Sequence, residues 1–145
     1  NHCPAGSMVP VYSSVLWIWR CNVMADIKRG NIFYADLGTE YHGSMQGGIR
    51  PIVVISNNKA NRYSTVLTAV PLSSRISKKQ DLPVHVLVPA RKSRGLVQDS
   101  LALCEQVTAL DSKQIIEYIG TVDTETLLKI TEAVQVQVGV FDQYN

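Results

Sequence analysis

The segment Gly43-Ser-Met-Gln-Gly-Gly-Ile-Arg-Pro-Ile-Val-Val-Ile55 decides the fold, because it joins a glycine-rich loop directly to a β-branched strand. Residues 51–56 form a run that is typical of a strand buried on both faces. Arg50 stands at the junction, where a rigid element holds its backbone while its guanidinium can face the open loop. A guanidinium donates two parallel hydrogen bonds and therefore suits a phosphate. The alternative is an ion pair with Asp36 or Glu40 across the strand ends.

Further strands are predicted on both sides of this segment. Residues 31–36 place Ile32 and Tyr34 on one face and Phe33 and Ala35 on the other, and residues 65–72 form a second buried run. Shorter strands are predicted at 84–88, 100–104, 106–110 and 119–122, with 100–110 as two strands or one bent strand. The predicted connections are a loop at 37–48, a polar segment at 57–64, a basic loop at 73–83, a basic turn at 91–95 and a helical turn at 112–115.

The last element has the period of a helix. Asp123 suits an N-cap, and Glu125 lies in the first turn, where a negative charge is favoured. Apolar residues then recur at three- and four-residue spacing: Leu127, Ile130, Val134, Val138 and Phe141. We therefore predict a mainly β, α+β domain, in which a small, strongly bent sheet or barrel is closed by a C-terminal amphipathic helix.

The composition excludes several classes of protein. The chain has 145 residues, 46% of them hydrophobic and 18% charged, which is unlike a disordered or low-complexity segment. No apolar run reaches the roughly 18 residues of a membrane helix, so no membrane contact is expected. Three scattered cysteines and three distant histidines give neither a disulfide framework nor a metal site. We expect no metal, no cofactor and a cytoplasmic location.

Two parts of the chain are distinguished at the N-terminal end. Residues 1–23 differ in character from the rest of the chain, since Gly6-Ser7-Met8 resembles a cloning scar and Met24-Ala25-Asp26 resembles a natural start. We interpret residues 1–23 as a leader or tag outside the fold, and residues 24–145 as a single domain.

The net charge of +2 conceals an uneven distribution. Residues 1–49 are neutral, residues 50–94 carry nine basic side chains against Asp81 alone, and residues 95–145 carry two basic and eight acidic side chains. The middle segment thus has a net charge of +8. Either folding intersperses these charges over a solvated surface, or the middle segment forms a basic face that attracts a polyanion.

Motifs of common enzyme classes are missing. The glycine-rich loop lacks the Gly-Lys-Ser/Thr ending of a P-loop, and the chain has no Gly-x-Ser-x-Gly and no His-Glu-x-x-His. Ser73 ends a predicted strand, where its hydroxyl can bond a phosphate oxygen or cap a turn. The catalytic candidates are His42, Arg50, Ser73, Ser74, Arg75 and His85.

Five stretches of this chain resemble the MazF/PemK family of toxin endoribonucleases in order and spacing. They are Lys28-Arg-Gly-Asn-Ile-Phe-Tyr-Ala-Asp-Leu37, Gly43 to Ile55, Val70-Pro-Leu-Ser73, Leu82-Pro-Val-His-Val86 and Asp99-Ser-Leu-Ala-Leu-Cys-Glu-Gln-Val107. The resemblance covers about residues 27–141. The glycine loop with Arg50-Pro51 is its most specific part, and Glu105-Gln106 is a second marker.

This resemblance implies an SH3-like barrel that forms homodimers, cuts single-stranded RNA without a metal and is neutralised by a MazE-like antitoxin. The family's catalytic arginine falls on Arg50, and its catalytic threonine falls on Ser73. The residues expected to bind RNA are Gln46, Gly47, Gly48, Ser74, Arg75, Lys78 and Lys79. Met45 replaces a frequent glutamate of relatives, which leaves the general base open; His42 is one candidate and His85, in a strand, a weaker one.

A second hypothesis comes from another functional class. CcdB-like toxins share this barrel but bind a protein target such as DNA gyrase, and the fold alone does not separate the two activities. The Arg50-Pro51 pair after the glycine loop and the +8 segment favour RNA.

Overall fold

A computed structural model describes residues 27–40, 42–76 and 82–145 of the chain. Lys78, Lys79 and the predicted leader at 1–23 lie outside these residues. Within them, seven strands and two α-helices follow one another: β1 (Asn31–Asp36), β2 (Ile49–Val54), α1 (Asn58–Tyr63), β3 (Val66–Ser73), β4 (His85–Val88), β5 (Ser100–Leu103), β6 (Thr108–Asp111), β7 (Ile115–Thr121) and α2 (Thr124–Gln137).

The strands form one antiparallel sheet in the order β4-β5-β3-β2-β1-β7, and β6 pairs with the other half of β3. The mainly β prediction is confirmed. β2 begins two residues earlier than expected and contains Arg50, whereas residues 100–111 form two strands separated by a 3₁₀ turn at Cys104–Gln106. β7 is longer than the predicted strand at 119–122.

Two hydrophobic clusters lie on the two faces of the sheet, which explains the continuous apolar runs. Ile32 and Val53 belong to the cluster beneath α2, whereas their neighbours Phe33 and Ile52 belong to the second cluster. Because both faces of β2 are covered, Ile52, Val53 and Val54 are all fully buried. The same holds for Ala69 and Val70 in β3.

The two ends of the strand order meet through one isolated bridge rather than through a ladder. Arg94, after β4, exchanges two backbone hydrogen bonds with Thr121 at the end of β7, with N···O distances of 3.0 and 3.1 Å. A Cβ on Gly120 would lie 1.4 Å from the Arg94 carbonyl oxygen, and one on Gly95 would lie 2.0 Å from the carbonyl oxygen of Ile119. The sheet is therefore strongly bent, but this contact leaves it without a closed ladder.

The C-terminal helix begins where the sequence predicts. The Asp123 carboxylate accepts a hydrogen bond from the backbone N–H of Thr126, and α2 runs to Gln137. Ile130 is fully buried against the sheet, but Val138 is exposed at the C-cap, and Phe141 lies beyond the helix. Neither helix of the described chain has the length and apolar character that crossing a bilayer requires.

Candidate functional site

An open cleft of about 820 Å³ lies between the glycine-rich loop and the ends of two strands. It brings together five predicted site residues from three segments of the chain: Gln46, Arg50, Ser73, Ser74 and Arg75. Its other lining residues are Gly43, Ser44, Met45, Ile76 and Leu103. The loop between β1 and β2 forms one wall, while β3, β5 and the segment after β3 form the other.

Arg50 faces the cleft from the start of β2. Its side chain is exposed, and its Nε donates a hydrogen bond to the Gly47 carbonyl oxygen at 3.2 Å. This bond orients the guanidinium and uses one of its five N–H groups, so the two terminal nitrogens remain available to an anion. Among the described residues no carboxylate pairs with Arg50, so the alternative of an ion pair with Asp36 or Glu40 is wrong.

Ser73 is the last residue of β3, and the β2–β3 register, which pairs Ile52 with Pro71, places it beside Arg50. It is 7% exposed and lies opposite Leu101 of β5. Its Oγ accepts a hydrogen bond from the backbone N–H of Arg75 at 3.2 Å. The turn-capping role considered for this serine is therefore present, and the hydroxyl hydrogen is still free to be donated into the cleft.

Gln106, in the turn after β5, holds the tip of the glycine-rich loop from outside the cleft. Its Oε1 accepts from the Gln46 backbone N–H at 2.7 Å, and its Nε2 donates to the Ser44 carbonyl oxygen at 3.0 Å. The sequence signal for this residue is the Glu105-Gln106 pair, which marks the resemblance without indicating a role. A smaller hollow of about 340 Å³ beside Gln106 adjoins the cleft at Met45 and Gln46.

The remaining predicted residues lie outside the lining of the cleft. His42 is exposed in the loop, and Gly47 and Gly48 stand between the loop tip and β2. His85 is buried in β4, where its Nε2 lies 2.8 Å from Glu105 Oε1. This contact gives His85 a place in the packing around the Glu105 turn.

The described residues contain no group of three or more histidine, cysteine, aspartate or glutamate side chains placed to hold a metal ion. Cys104 is buried beneath α2, and this burial, with the nearby Glu105 carboxylate, raises the pKa of its thiol to about 12. The thiol therefore stays protonated at neutral pH and is a poor nucleophile.

Comparison with known proteins matches residues 28–138 to the model of a PemK-like, MazF-like toxin of type II toxin-antitoxin systems. The chain is also similar to endoribonuclease EndoA of Bacillus subtilis, with 35% identity over 116 residues that cover 80% of this chain and 97% of EndoA.

Two solved structures show the same fold. MazF from Deinococcus radiodurans aligns with a TM-score of 0.65 and 24% identity, covering 78% of this chain and 96% of that one. An endoribonuclease from a mycobacterial species, solved in complex with its cognate antitoxin, aligns with a TM-score of 0.63 and 24% identity. That alignment covers 80% of this chain and 98% of the mycobacterial one.

Proposed function

Because the chain belongs to the PemK-like, MazF-like toxins of type II toxin-antitoxin systems, we propose that it is an endoribonuclease whose active site is the cleft between Arg50 and Ser73. The observation that carries this proposal is that the guanidinium of Arg50, which has no carboxylate partner among the described residues, and the hydroxyl of Ser73 line the same open cleft. The CcdB-like alternative is not favoured, since the relative with 35% identity is named an endoribonuclease.

The chemistry that fits these residues is cleavage of single-stranded RNA by its own 2′-hydroxyl. The 2′-oxygen attacks the adjacent phosphorus and the bond to the 5′-oxygen breaks, which leaves a 2′,3′-cyclic phosphate and a free 5′-hydroxyl. Arg50 stabilises the negative charge that develops on the phosphorane, and Ser73 donates its hydroxyl hydrogen to a non-bridging oxygen. The proposal assigns this charge stabilisation to the protein and no step to a metal ion or cofactor.

The proton transfers need a group that titrates near neutral pH. We assign His42 as the candidate general acid or base, because an imidazole can both donate and accept a proton and His42 precedes the residues Gly43 to Gln46 that line the cleft. A guanidinium keeps its proton at any physiological pH, so Arg50 is unsuited to the role of base.

The RNA backbone is proposed to follow the rim of the cleft. Arg75 is exposed beside Ser73, and Ser74 is exposed next to it, so both can contact phosphates on either side of the scissile one. Gln46 is assigned a contact with the RNA from the loop wall, and Gly47 and Gly48, which stand between the loop tip and β2, are assigned contacts beside the cleft. Lys78 and Lys79 come next in the chain and extend the same basic segment.

The proposed protein partners are a second copy of this chain and an antitoxin, and the proposed location is the cytoplasm, where RNA and antitoxin are made. Large apolar side chains are exposed on one side of the neighbouring strands β1 and β2: Tyr34 and Ile49. This surface supports dimerisation. The complex of the mycobacterial relative with its cognate antitoxin supports the second partner.

The test is cleavage of a long single-stranded RNA in the presence of EDTA, with cut sites mapped by primer extension. Wild-type protein should cut at defined sites, and replacing the ribose at one site by 2′-deoxyribose should abolish that cut. Arg50→Ala should lose about 10²–10³-fold in rate. Arg62→Ala removes an exposed arginine from α1, outside the cleft, and serves as the matched control.

Near-normal cleavage by Arg50→Ala would refute the site assignment. Loss of wild-type cleavage in EDTA, restored by adding a divalent metal, would refute the metal-free mechanism. If the folded wild-type protein cuts no RNA under any condition, the result would favour the CcdB-like hypothesis over the endoribonuclease.

A further inference from the structure

We propose that Gln106 is a positioning residue, which holds the glycine-rich loop in the conformation in which its Gly47 carbonyl orients the Arg50 guanidinium beside Ser73. The effect on cleavage rests on the proposed function, whereas the effect on the loop does not. Gln106 is therefore assigned a role in the geometry of the cleft, without contact with the RNA.

The first argument is that one side chain makes two hydrogen bonds to the backbone of the loop tip. The Gln106 amide accepts from the N–H of Gln46 at 2.7 Å and donates to the carbonyl oxygen of Ser44 at 3.0 Å. These contacts span 60 and 62 residues of sequence. Because they involve backbone groups on either side of Met45, they fix the path of the loop whatever side chains it carries.

The second argument is that the loop tip has little else to hold it. At the base of the loop, Gly48 donates to Gly38 at 2.7 Å and accepts from Leu37 at 2.9 Å. Beyond that base, the other backbone bond of residues 42–46 in the described chain stays within the loop, from Met45 N–H to His42. Gly43 and Gly48 have positive φ angles, and a Cβ added to either would meet no atom within 4 Å, so neither position is closely packed on that side.

The third argument is that Gln106 belongs structurally to the other wall of the cleft. It ends the turn after β5, and β5 supplies both Leu101, which lies opposite Ser73, and Leu103, which lines the cleft. The two hydrogen bonds of Gln106 therefore link the wall of Ser73 to the loop whose Gly47 carbonyl orients Arg50.

Only a side chain that donates and accepts at the same end can make both bonds. An ionised glutamate accepts but does not donate, so it would bond Gln46 and leave the Ser44 carbonyl oxygen facing a negative charge. A protonated glutamate regains a donor. Gln106→Glu therefore tests the proposal through pH, in nearly the same volume, while Gln106→Ala removes both bonds at every pH.

Three variants and two measurements test this role. Amide hydrogen exchange and single-turnover RNA cleavage are measured for Gln106→Glu, Gln106→Ala and the control Gln135→Glu. The control makes the same charge change as Gln106→Glu at an exposed position of α2. Exchange at the Gln46 N–H should accelerate in both Gln106 variants and stay unchanged in the control. Cleavage at pH 7.5 should fall by about 10²-fold in the Gln106 variants, chiefly in kcat, because small misplacements of catalytic groups cost that much.

Between pH 7.5 and 5, the cleavage rate of Gln106→Glu relative to Gln106→Ala should rise about tenfold, as an ordinary glutamate begins to be protonated. The titratable groups around this position are Glu40 and Glu105 in the adjoining hollow, with His85 bonded to Glu105. Both variants share these groups, so their titration cancels in the ratio.

Unchanged exchange at Gln46 in both Gln106 variants would overturn the proposal, whether or not the protein cleaves RNA. Faster exchange together with wild-type kcat would show that the loop is released without consequence and would overturn the positioning role. A flat rate ratio between pH 7.5 and 5 would overturn the requirement for a donor. Failure of wild-type protein to cut RNA bears on the proposed function alone, because the exchange measurement does not need it.

Discussion

Replacing Ser73 gives the sharpest test of how the cleft handles a phosphate. The Ser73 hydroxyl accepts from Arg75 N–H and has one hydrogen left for the substrate. A hydrogen bond to a charged oxygen contributes about 1.5–3 kcal/mol, which corresponds to a rate loss of about 10- to 150-fold in Ser73→Ala. That loss should be smaller than the loss in Arg50→Ala, since Arg50 contributes charge as well as hydrogen bonds.

The assay is single-turnover cleavage of a short single-stranded RNA, with thermal unfolding measured alongside. Ser73→Ala leaves the Arg75 N–H without its acceptor, but Arg75 is exposed and water can replace the bond. We therefore expect little change in Tm. Ser73→Thr keeps the hydroxyl on a residue type that strands favour, so it should keep most of the activity.

Wild-type rates in Ser73→Ala would refute the role of the hydroxyl. Equal loss in Ser73→Ala and Ser73→Thr, with both proteins folded, would show that the strand end rather than the hydroxyl matters.

Three further predictions concern closure of the sheet, the buried thiol and the basic segment. Gly120→Ala should lower the free energy of unfolding in urea by about 3 kcal/mol, because a Cβ there meets the Arg94 carbonyl oxygen at 1.4 Å. Gly38→Ala, whose Cβ has nothing within 4 Å, should lower it by about 1 kcal/mol, and equal losses would contradict the role of the close contact between Gly120 and Arg94. Burial raises the pKa of Cys104 to about 12 in the folded protein, so as the pH rises its thiol loses its proton in the unfolded chain first. The free energy of unfolding should therefore fall as the pH rises from 9.0 toward 12, and Cys104→Ala should not show this fall. Neutralising Arg75, Lys78 and Lys79 should make the plot of log RNA affinity against log salt concentration less steep, by about 0.7 for each phosphate that the variant no longer binds, without changing the cut sites. An unchanged slope would show that this basic segment does not contact RNA.

The sequence was most informative where one physical rule dominates. β1 and the start of α2 lie where alternation and the Asp123 cap predict them, and the apolar runs in β2 and β3 are buried on both faces as expected. The wall residues Arg50 and Ser73 were also identifiable, since each stands at a strand end. The end of a buried strand next to a loop holds its side chain on a rigid element at the edge of the core, whether that side chain is exposed like Arg50 or largely buried like Ser73.

The sequence did not show one short helix, which local contacts hold, and two contacts between distant segments. The polar residues 58–63 form α1, because Asn57 caps it by accepting from the Ala60 N–H and Arg62 lies over the Tyr63 ring. The closing bridge depends on Arg94 meeting Thr121, and the restraint on the loop depends on Gln106 reaching Ser44 and Gln46, 62 and 60 residues away. No local sequence pattern predicts contacts between residues so far apart in the chain.

The pairing of β1 with β7 and of β3 with β5 also determines when the cleft can exist during synthesis. A chain that has left the ribosome as far as Ser73 already carries both wall residues, but it lacks Leu101, which lies opposite Ser73, and it lacks Gln106. The pairing of β1 with β7 forms later still, because Asn31 pairs with Thr121. Contacts so far apart in the chain fold slowly, and each forms only after the later of its two residues has been made. The ribosome must therefore translate the chain past Gln106 before all the contacts around the cleft can form.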